Sequence, residues 1–208
     1  MKVLMINGSP HRHGCTDVAL CEAAGELERA GIETEMFWLG TEPIRSCTAC
    51  GACKRGEKGR CVFDGDPVNE ALRLAEQADG FLFGTPVHYA GAAGGITAFL
   101  DRCFYAGRHF AYKPGACVVS CRRGGATAAF DQLNKYFTIA NMPVVPSQYW
   151  NMIHGNTPEE ARRDLEGLQT MRVLGRNMAW MLRCIEAGRE AGVPLPEAEE
   201  RIATNFIR

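Results

Sequence analysis

The sequence has no apolar run long enough to span a membrane, so it predicts no transmembrane helix. Its formal net charge is −1, and without a basic excess it offers little to a nucleic-acid backbone. The chain starts directly with a strand-like segment, so we expect a cytoplasmic protein without a signal peptide. No internal repeat or low-complexity segment occurs. These absences argue against membrane and nucleic-acid partners and favour a single globular domain over residues 1–208.

Two common phosphate-binding fingerprints are also missing. There is no G-x-x-x-x-G-K-[ST], which excludes the nucleoside-triphosphate loop, and no G-x-G-x-x-G, which excludes the dinucleotide turn. The chain nevertheless begins like a phosphate site, because an apolar strand over residues 3–6 leads into a polar loop with Gly8 and Gly14, and a helix follows. The first turn of a helix has free N–H groups and a positive dipole end that attract phosphate.

The side chains of this first loop suit a single terminal phosphate, such as that of flavin mononucleotide (FMN). Ser9 and Thr16 add hydroxyl donors, while His11, Arg12 and His13 add positive charge. The alternative is an ordinary turn between a strand and a helix, in which the polar residues only cap the helix.

Ten cysteines are many for a cytosolic chain of this length, and four of them fall within one short window. This density, without a secretion signal, indicates metal or redox chemistry rather than disulfide cross-links. The window reads Cys47-x2-Cys50-x2-Cys53-x7-Cys61, and Gly51 permits a tight backbone path through it. Thiolates three residues apart can approach one metal centre, and the run resembles ferredoxin-type spacing for a cubane cluster.

Other interpretations of the four cysteines stay open at this point. Zinc is typically held by two paired C-x2-C units with a longer separation, so this spacing suits it poorly. A redox-active thiol pair, for instance Cys50 and Cys53, is chemically reasonable. The four side chains can also be packed thiols in a surface loop.

Apolar runs and helical patterns alternate along the chain. Strands are predicted over residues 3–6, 33–39, 80–85, 115–120 and 143–146. Helices are predicted over residues 16–30, 95–105 and 126–140, with two more starting at Asp66-Pro67 and Thr157-Pro158, the last being long and methionine-rich. A cysteine-rich insertion loop at about residues 40–66 and a C-terminal helix plus tail at about 158–208 complete the predicted domain.

Strict alternation of strand and helix predicts an α/β fold with a doubly wound, five-stranded parallel sheet. Polar, glycine-containing loops follow the first, third and fourth predicted strands, at residues 7–15, 86–95 and 121–125. In a flavodoxin-like strand order, 2-1-3-4-5 with helices on both faces, these three loops meet outside the carboxyl ends of the strands. We therefore predict the ligand site there.

Two segments together resemble a known family. Residues 6–16, Ile-Asn-Gly-Ser-Pro-His-Arg-His-Gly-Cys-Thr, look like its phosphate loop. Residues 84–91, Gly-Thr-Pro-Val-His-Tyr-Ala-Gly, with Thr-Ala-Phe-Leu-Asp-Arg at 97–102, look like its flavin-ring loop and following helix. The family is that of the flavodoxin-like, NADPH-dependent FMN reductases, and the cysteine segment makes the chain similar to the iron–sulfur flavoproteins.

The resemblance implies FMN, a [4Fe–4S] cluster and NAD(P)H as co-substrate. It places the cluster on Cys47, Cys50, Cys53 and Cys61. It places the FMN phosphate on Ser9, His11, His13, Gly14, Cys15 and Thr16. It places the ribityl chain and ring against Pro86, Val87, His88, Tyr89 and Gly91, and the pyrimidine edge against Cys121, Arg122, Gly124 and Gly125. Family members often have Arg or Lys where this chain has His11 and Arg12, and Asn where it has Cys15.

Three residues are candidates for roles in catalysis. His88 and Tyr89 can wall one ring face or donate to a substrate. Arg122, with backbone N–H groups around Gly124 and Gly125, can stabilise the negative charge of a reduced flavin.

The main functional hypothesis is an FMN-dependent oxidoreductase that passes electrons from NAD(P)H or reduced ferredoxin to a small acceptor such as a quinone or a flavin. One alternative is a non-enzymatic flavodoxin-type electron carrier, although carriers that dock on basic partners are usually strongly acidic, and this chain has a net charge of −1. Another is a zinc-stabilised interaction module without flavin. The resemblance also implies a homodimer or homotetramer.

Overall fold

The computed structural model describes residues 1–56, 59–200, 202–204 and 206. Parts of the predicted insertion loop and C-terminal tail, at 57, 58, 201, 205, 207 and 208, lie outside the described residues. The elements are β1 (Lys2–Asn7), α1 (Cys15–Arg29), β2 (Glu33–Trp38), α2 (Ala52–Arg55), α3 (Val68–Glu76), β3 (Gly80–His88), β4 (Gly91–Ala92), α4 (Gly94–Ala106), β5 (Gly115–Cys121), α5 (Ala126–Ile139), β6 (Met152–His154), α6 (Pro158–Ala161) and α7 (Leu165–Glu190).

Five parallel strands form the sheet in the order β2-β1-β3-β5-β6, which confirms the predicted flavodoxin-like order. The sixth strand, β4, pairs antiparallel with β3 and was not predicted. Helices α3, α4 and α5 cover one face and α1, α6 and α7 the other, so the sheet lies between two apolar cores. Along β3, Phe81 and Phe83 pack into the first core and Leu82 into the second, as the two-residue period of a strand requires.

The prediction of a fifth strand at residues 143–146 was wrong. That segment makes a single bridge between Val144 and Gly115. The ladder resumes at β6, whose three residues pair with Val119, Ser120 and Cys121. Proline has no N–H to donate, so a four-residue segment that begins and ends with proline cannot continue a ladder.

The prediction of one long final helix from Thr157 was also wrong, because the structure has two helices there. Thr157 does cap α6, since its Oγ1 accepts from the N–H of Glu160 at 3.3 Å. The chain then restarts at Asp164, whose carboxylate accepts from the N–H of Gly167 at 2.9 Å and caps α7. Neither α7 nor any other helix in the described part of the chain is long and apolar enough to cross a membrane.

The predicted loop after β3 is a tight hairpin. Val87 pairs with Ala92 and His88 with Gly91, which leaves Tyr89 and Ala90 as the two turn residues. Both have positive φ, 48° and 60°, as in the mirror-image turns that asparagine and glycine normally supply. Neither turn residue is of that kind, so the hairpin could not be predicted from local sequence signals.

Gly125, in the loop after β5, packs closely against this hairpin. Its φ is +92°, and a Cβ at this position would lie 2.5 Å from the Cα of Ala90 and 2.9 Å from Cγ1 of Val87. We expect Gly125→Ala to lower the free energy of unfolding by about 2 to 4 kcal/mol, because strain and overlap add. Denaturant unfolding measures this loss.

The neighbouring glycine is the matched control. A Cβ on Gly124 meets nothing within 4 Å, so Gly124→Ala should change stability by less than about 0.5 kcal/mol. Equal losses for both variants would contradict the close contact at Gly125.

Candidate functional site

A cleft of about 720 Å³ lies at the carboxyl ends of β1, β3 and β5, within the usual size range of small-molecule sites. Most residues predicted to bind FMN line it: Ser9, His11, His13, Gly14, Cys15, Thr16, Pro86, Val87, His88, Cys121 and Arg122. Four others, Tyr89, Gly91, Gly124 and Gly125, do not line it. The structure thus brings the three predicted loops to one place.

The first loop is held in shape by Asn7, the last residue of β1, which is buried. Its side-chain oxygen accepts from the N–H of Ser9 at 3.0 Å, and its amide nitrogen donates to the carbonyl of Arg12 at 3.0 Å. Ser9 Oγ in turn accepts from the N–H of His11 at 3.1 Å. The loop is therefore organised by its own polar groups before any ligand enters.

Two glycines fix where this loop runs. The N–H of Gly8 donates to the carbonyl of Gly84 at 2.9 Å, and a Cβ on Gly8 would lie 2.6 Å from Cδ1 of Ile96. Gly14 stands at the N-cap of α1 and has no side chain with which to cap the helix. The first-turn N–H groups of α1 are thus left for a ligand in the cleft.

Trp38 also lines the cleft, and the sequence did not single it out. Its indole N–H donates to the carbonyl of Ser9 at 2.8 Å, and the guanidinium of Arg12 lies 5.6 Å from its ring centroid. Trp38 is the last residue of β2, opposite Asn7 of β1. The predicted strand order could have revealed it, because both strands end at the same edge.

The far wall of the cleft includes residues 155–158, which run from the end of β6 to the first residue of α6 and were not predicted to belong to the site. Gly155 donates its N–H to the carbonyl of Cys121 at 3.1 Å and accepts from the thiol of Cys15 at 3.5 Å. The hydroxyls of Thr16 and Ser120 are 2.8 Å apart in the buried floor. Residues 155–158 directly follow β6. Because the fifth strand was predicted at residues 143–146 instead, these residues were not expected at the site.

The side chains that line the cleft include positive charges but no negative ones among the described residues. Arg12, Arg122 and three histidines line it, and no Asp or Glu does so among the residues that the structure describes. Burial raises the pKa of the thiols of Cys15 and Cys121, so these side chains stay neutral and add no negative charge. A neutral-to-cationic cleft with a helix N-terminus fits the phosphate of FMN.

The hairpin places its two candidate catalytic residues differently. His88 lies on β3 and lines the cleft. Tyr89 is the first residue of the turn, and its side chain is fully exposed. Tyr89 is thus free to meet a molecule arriving from solvent, whereas His88 faces the ligand volume.

A second, small cavity is lined by Cys47, Cys50, Cys53 and Cys61. Ala49 and Gly51 both have positive φ, 53° and 67°, and these left-handed residues turn the segment sharply between successive cysteines. The wall opposite includes Arg102 and the last residues of α4. All ten cysteines of the chain are free thiols.

Three cysteines of this cavity have polar partners, and the thiol of Cys53 lies 4.0 Å from the carbonyl oxygen of Tyr105. The pKa of Cys50 is lowered because its sulfur accepts from the N–H of Ala52 and from the hydroxyl of Thr48. Cys61 accepts from Nε of Arg102 at 3.3 Å. The contacts of Cys50 favour its thiolate, which is the form that binds metals.

A single metal ion and an iron–sulfur cluster need different arrangements of cysteine ligands. Within the described ranges, no three His, Cys, Asp or Glu side chains are close enough to surround a single ion. A tetrahedral zinc site needs all its thiolates about 2.3 Å from one point, whereas a cubane cluster takes each thiolate on a different iron. The four cysteines around one cavity match the number and type of ligands that a cubane cluster takes.

Comparison with known proteins shows the family of the chain. The family model for NADPH-dependent FMN reductase matches residues 1–157. An iron-sulfur flavoprotein of Methanocaldococcus jannaschii is 32% identical over 195 residues, covering 89% of this chain and 100% of the relative. One from Methanosarcina thermophila is 28% identical, covering 91% and 100%.

The fold has counterparts among solved structures. RosB, solved with bound 8-demethyl-8-formylriboflavin-5′-phosphate, superposes with a TM-score of 0.70 at 17% identity, covering 100% of this chain and 94% of RosB. At this identity the likeness supports the flavodoxin-like fold alone. With the family match and the relatives above, the chain belongs to the NADPH-dependent FMN reductase family of flavodoxin-like flavoproteins.

Proposed function

We propose that the chain is an FMN-dependent oxidoreductase that takes electrons from NAD(P)H or reduced ferredoxin and delivers them to a small acceptor such as a quinone or a flavin. The observation that carries the proposal is the cleft at the N-terminus of α1, which is lined by cations and hydroxyls and by no carboxylate of the described residues. Its size and charge suit a flavin with one terminal phosphate.

We assign the phosphate to the first loop and the start of α1. Ser9 and Thr16 contribute hydroxyls, the first helical turn contributes N–H groups, and His11 and His13 contribute imidazole N–H donors at the exposed rim. Gly14 and Cys15 allow the phosphate to approach because neither brings a charged or bulky group. The buried frame around Asn7 keeps these donors in place.

We assign the ring to the hairpin and the loop after β5. FMN, when bound, supplies a ring that accepts a hydride and passes on one or two electrons. We assign Arg122, which lines the cleft, to the stabilisation of negative charge at the pyrimidine edge. His88 walls the cleft, and the exposed Tyr89 is left to contact the substrate or a protein partner.

We further propose a [4Fe–4S] cluster on Cys47, Cys50, Cys53 and Cys61, for one-electron transfer between the flavin and a protein such as ferredoxin. Support comes from the shared cavity of the four thiols. Helix α4 begins beside His88, where Gly94 and His88 line the same small pocket, and its last residues line the cysteine cavity. One helix therefore connects the two sites within a single chain.

An absorption spectrum of protein purified without oxygen, with iron and acid-labile sulfide assayed on the same sample, tests both parts. We expect flavin bands, a broad shoulder and about four irons per chain. Flavin without iron would be consistent with the reductase but would overturn the proposed cluster. A colourless protein would overturn the whole proposal.

The electron donor is tested on the same material. Rapid bleaching by NADPH or NADH would support direct hydride entry. Fast reduction by ferredoxin alone would contradict that route, and reduction without turnover of a quinone or flavin would favour an electron carrier. The homodimer or homotetramer stays a prediction, which light scattering can test.

A further inference from the structure

Arg102 is a buried cation beside the cysteine cavity. Only 1% of its surface is exposed, and an isolated charge is costly to bury unless it is paired and hydrogen-bonded. Its guanidinium has four partners. Nε donates to Sγ of Cys61 at 3.3 Å. One amino group donates to the carboxylate of Asp66 and also to the carbonyl of Arg45, the latter at 3.2 Å. The other amino group donates to the carbonyl of Phe63 at 2.7 Å.

These partners lie on both sides of the cysteine run. Arg45 precedes Cys47, whereas Phe63 and Asp66 follow Cys61. Arg102 itself projects from α4, the helix that passes between the two sites. One guanidinium therefore clamps both ends of the cysteine segment to the rigid part of the fold and contacts one of the four thiols directly.

We propose that Arg102 is a positioning residue for the cluster, which preforms the cysteine cavity and raises the reduction potential of the bound cluster through its N–H···S hydrogen bond to Cys61. This inference rests on the cluster of the proposed function. Hydrogen bonds to the sulfurs and nearby net charge are among the properties that set the potential of an iron–sulfur centre. A donor that is also a buried cation favours the reduced, more negative cluster.

The two members of the Arg102–Asp66 pair have opposite effects in this scheme. Removing the guanidinium takes away both the hydrogen bond and the positive charge, so the potential should fall. Removing the Asp66 charge leaves the hydrogen bond and unmasks the cation, so the potential should rise. A merely structural role predicts that both changes loosen the segment alike.

The experiment compares Arg102→Met, Arg102→Lys and Asp66→Asn with the wild type, all prepared without oxygen. The readouts are iron per chain, the rate of iron release to a chelator, and the midpoint potential from a redox titration followed by electron paramagnetic resonance. We expect a more negative potential and about 10-fold faster iron release for Arg102→Met. Arg102→Lys should fall between it and the wild type, because lysine keeps the charge but not the planar fork. The exposed Arg73, on α3, provides the control variant Arg73→Met, which should change neither.

Each outcome either supports or overturns the proposed role of Arg102 or the proposed cluster. Unchanged potentials in iron-loaded Arg102 variants, or shifts of the same sign for Arg102→Met and Asp66→Asn, would overturn the role of Arg102 and leave the cluster intact. A wild type without iron would instead overturn the proposed cluster. If Arg102→Met does not fold, the potentials of Arg102→Lys and Asp66→Asn still have to move in opposite directions.

Discussion

Replacing Cys61 by serine is expected to remove most of the iron from protein prepared without oxygen. Cys61 is buried in the wall of the cysteine cavity, and serine keeps its size while replacing a thiolate ligand with a hydroxyl that stays protonated. Iron–sulfur clusters depend on cysteine thiolates, so the fourth position would be left without a suitable donor. Iron and sulfide per chain, with the broad visible shoulder, measure the loss.

The flavin should stay in this variant, because Cys61 does not line the large cleft. Cys184→Ser is the matched control, since Cys184 is an exposed thiol on α7, outside the cavity. It should retain the full iron content. A Cys61→Ser protein with undiminished iron would show that Cys61 is not a ligand and would revive the interpretation of packed thiols.

Placing a carboxylate at Cys15 is expected to weaken FMN binding at least about tenfold. Two unit charges about 6 Å apart repel by about 0.7 to 3 kcal/mol at effective dielectric constants of about 80 to 20. The FMN phosphate carries more than one charge, so the upper part of this range applies. Cys15→Asp introduces this charge at the first position of α1, in a cleft lined by no other carboxylate of the described residues. Titration of flavin-free protein with FMN gives the affinity.

The matched variant Cys15→Asn has nearly the same shape as Cys15→Asp without the charge. It should bind FMN within a few-fold of the wild type. An acidic side chain in the first turn of a helix is favourable, so Cys15→Asp should not unfold the apoprotein, and its melting temperature checks this. Equal affinities for the two variants would place the phosphate away from the start of α1.

The sequence predicted the parts of the fold that depend on local patterns. Residues 80–85 form a short, largely apolar run bounded by turn signals, which is typical of a buried strand between two helical layers. The first helix was predicted to begin at residue 16, one residue after its observed start at Cys15. The errors came where pairing between distant segments decides the structure. The prolines at 143 and 146 read as strand boundaries, yet the ladder needs the N–H groups that β6 provides.

The candidate site was predictable to the extent that it follows from strand order. Polar loops after successive parallel strands must meet at one edge, and the residues of those loops do line the cleft. Trp38 and residues 155–158 were missed because one ends an ordinary amphipathic strand and the others follow a strand placed wrongly. The four cysteines were found by spacing alone, but spacing could not show Arg102, which lies about forty residues further along the chain.

Helix α4 restricts where the chain can gain or lose residues without moving Arg102 away from its partners. Deleting one residue within the helix would rotate everything beyond the deletion by about 100° and shift it by about 1.5 Å. Arg102 would then turn away from Cys61 and Asp66, although the start of the helix beside His88 stayed in place. The described residues between β2 and α3, by contrast, include only the short helix α2, so most of this segment has no helical phase to keep. Outside the C-x2-C-x2-C run, whose spacing the proposed cluster needs, homologous chains should therefore accept insertions and deletions in this segment more readily than inside α4.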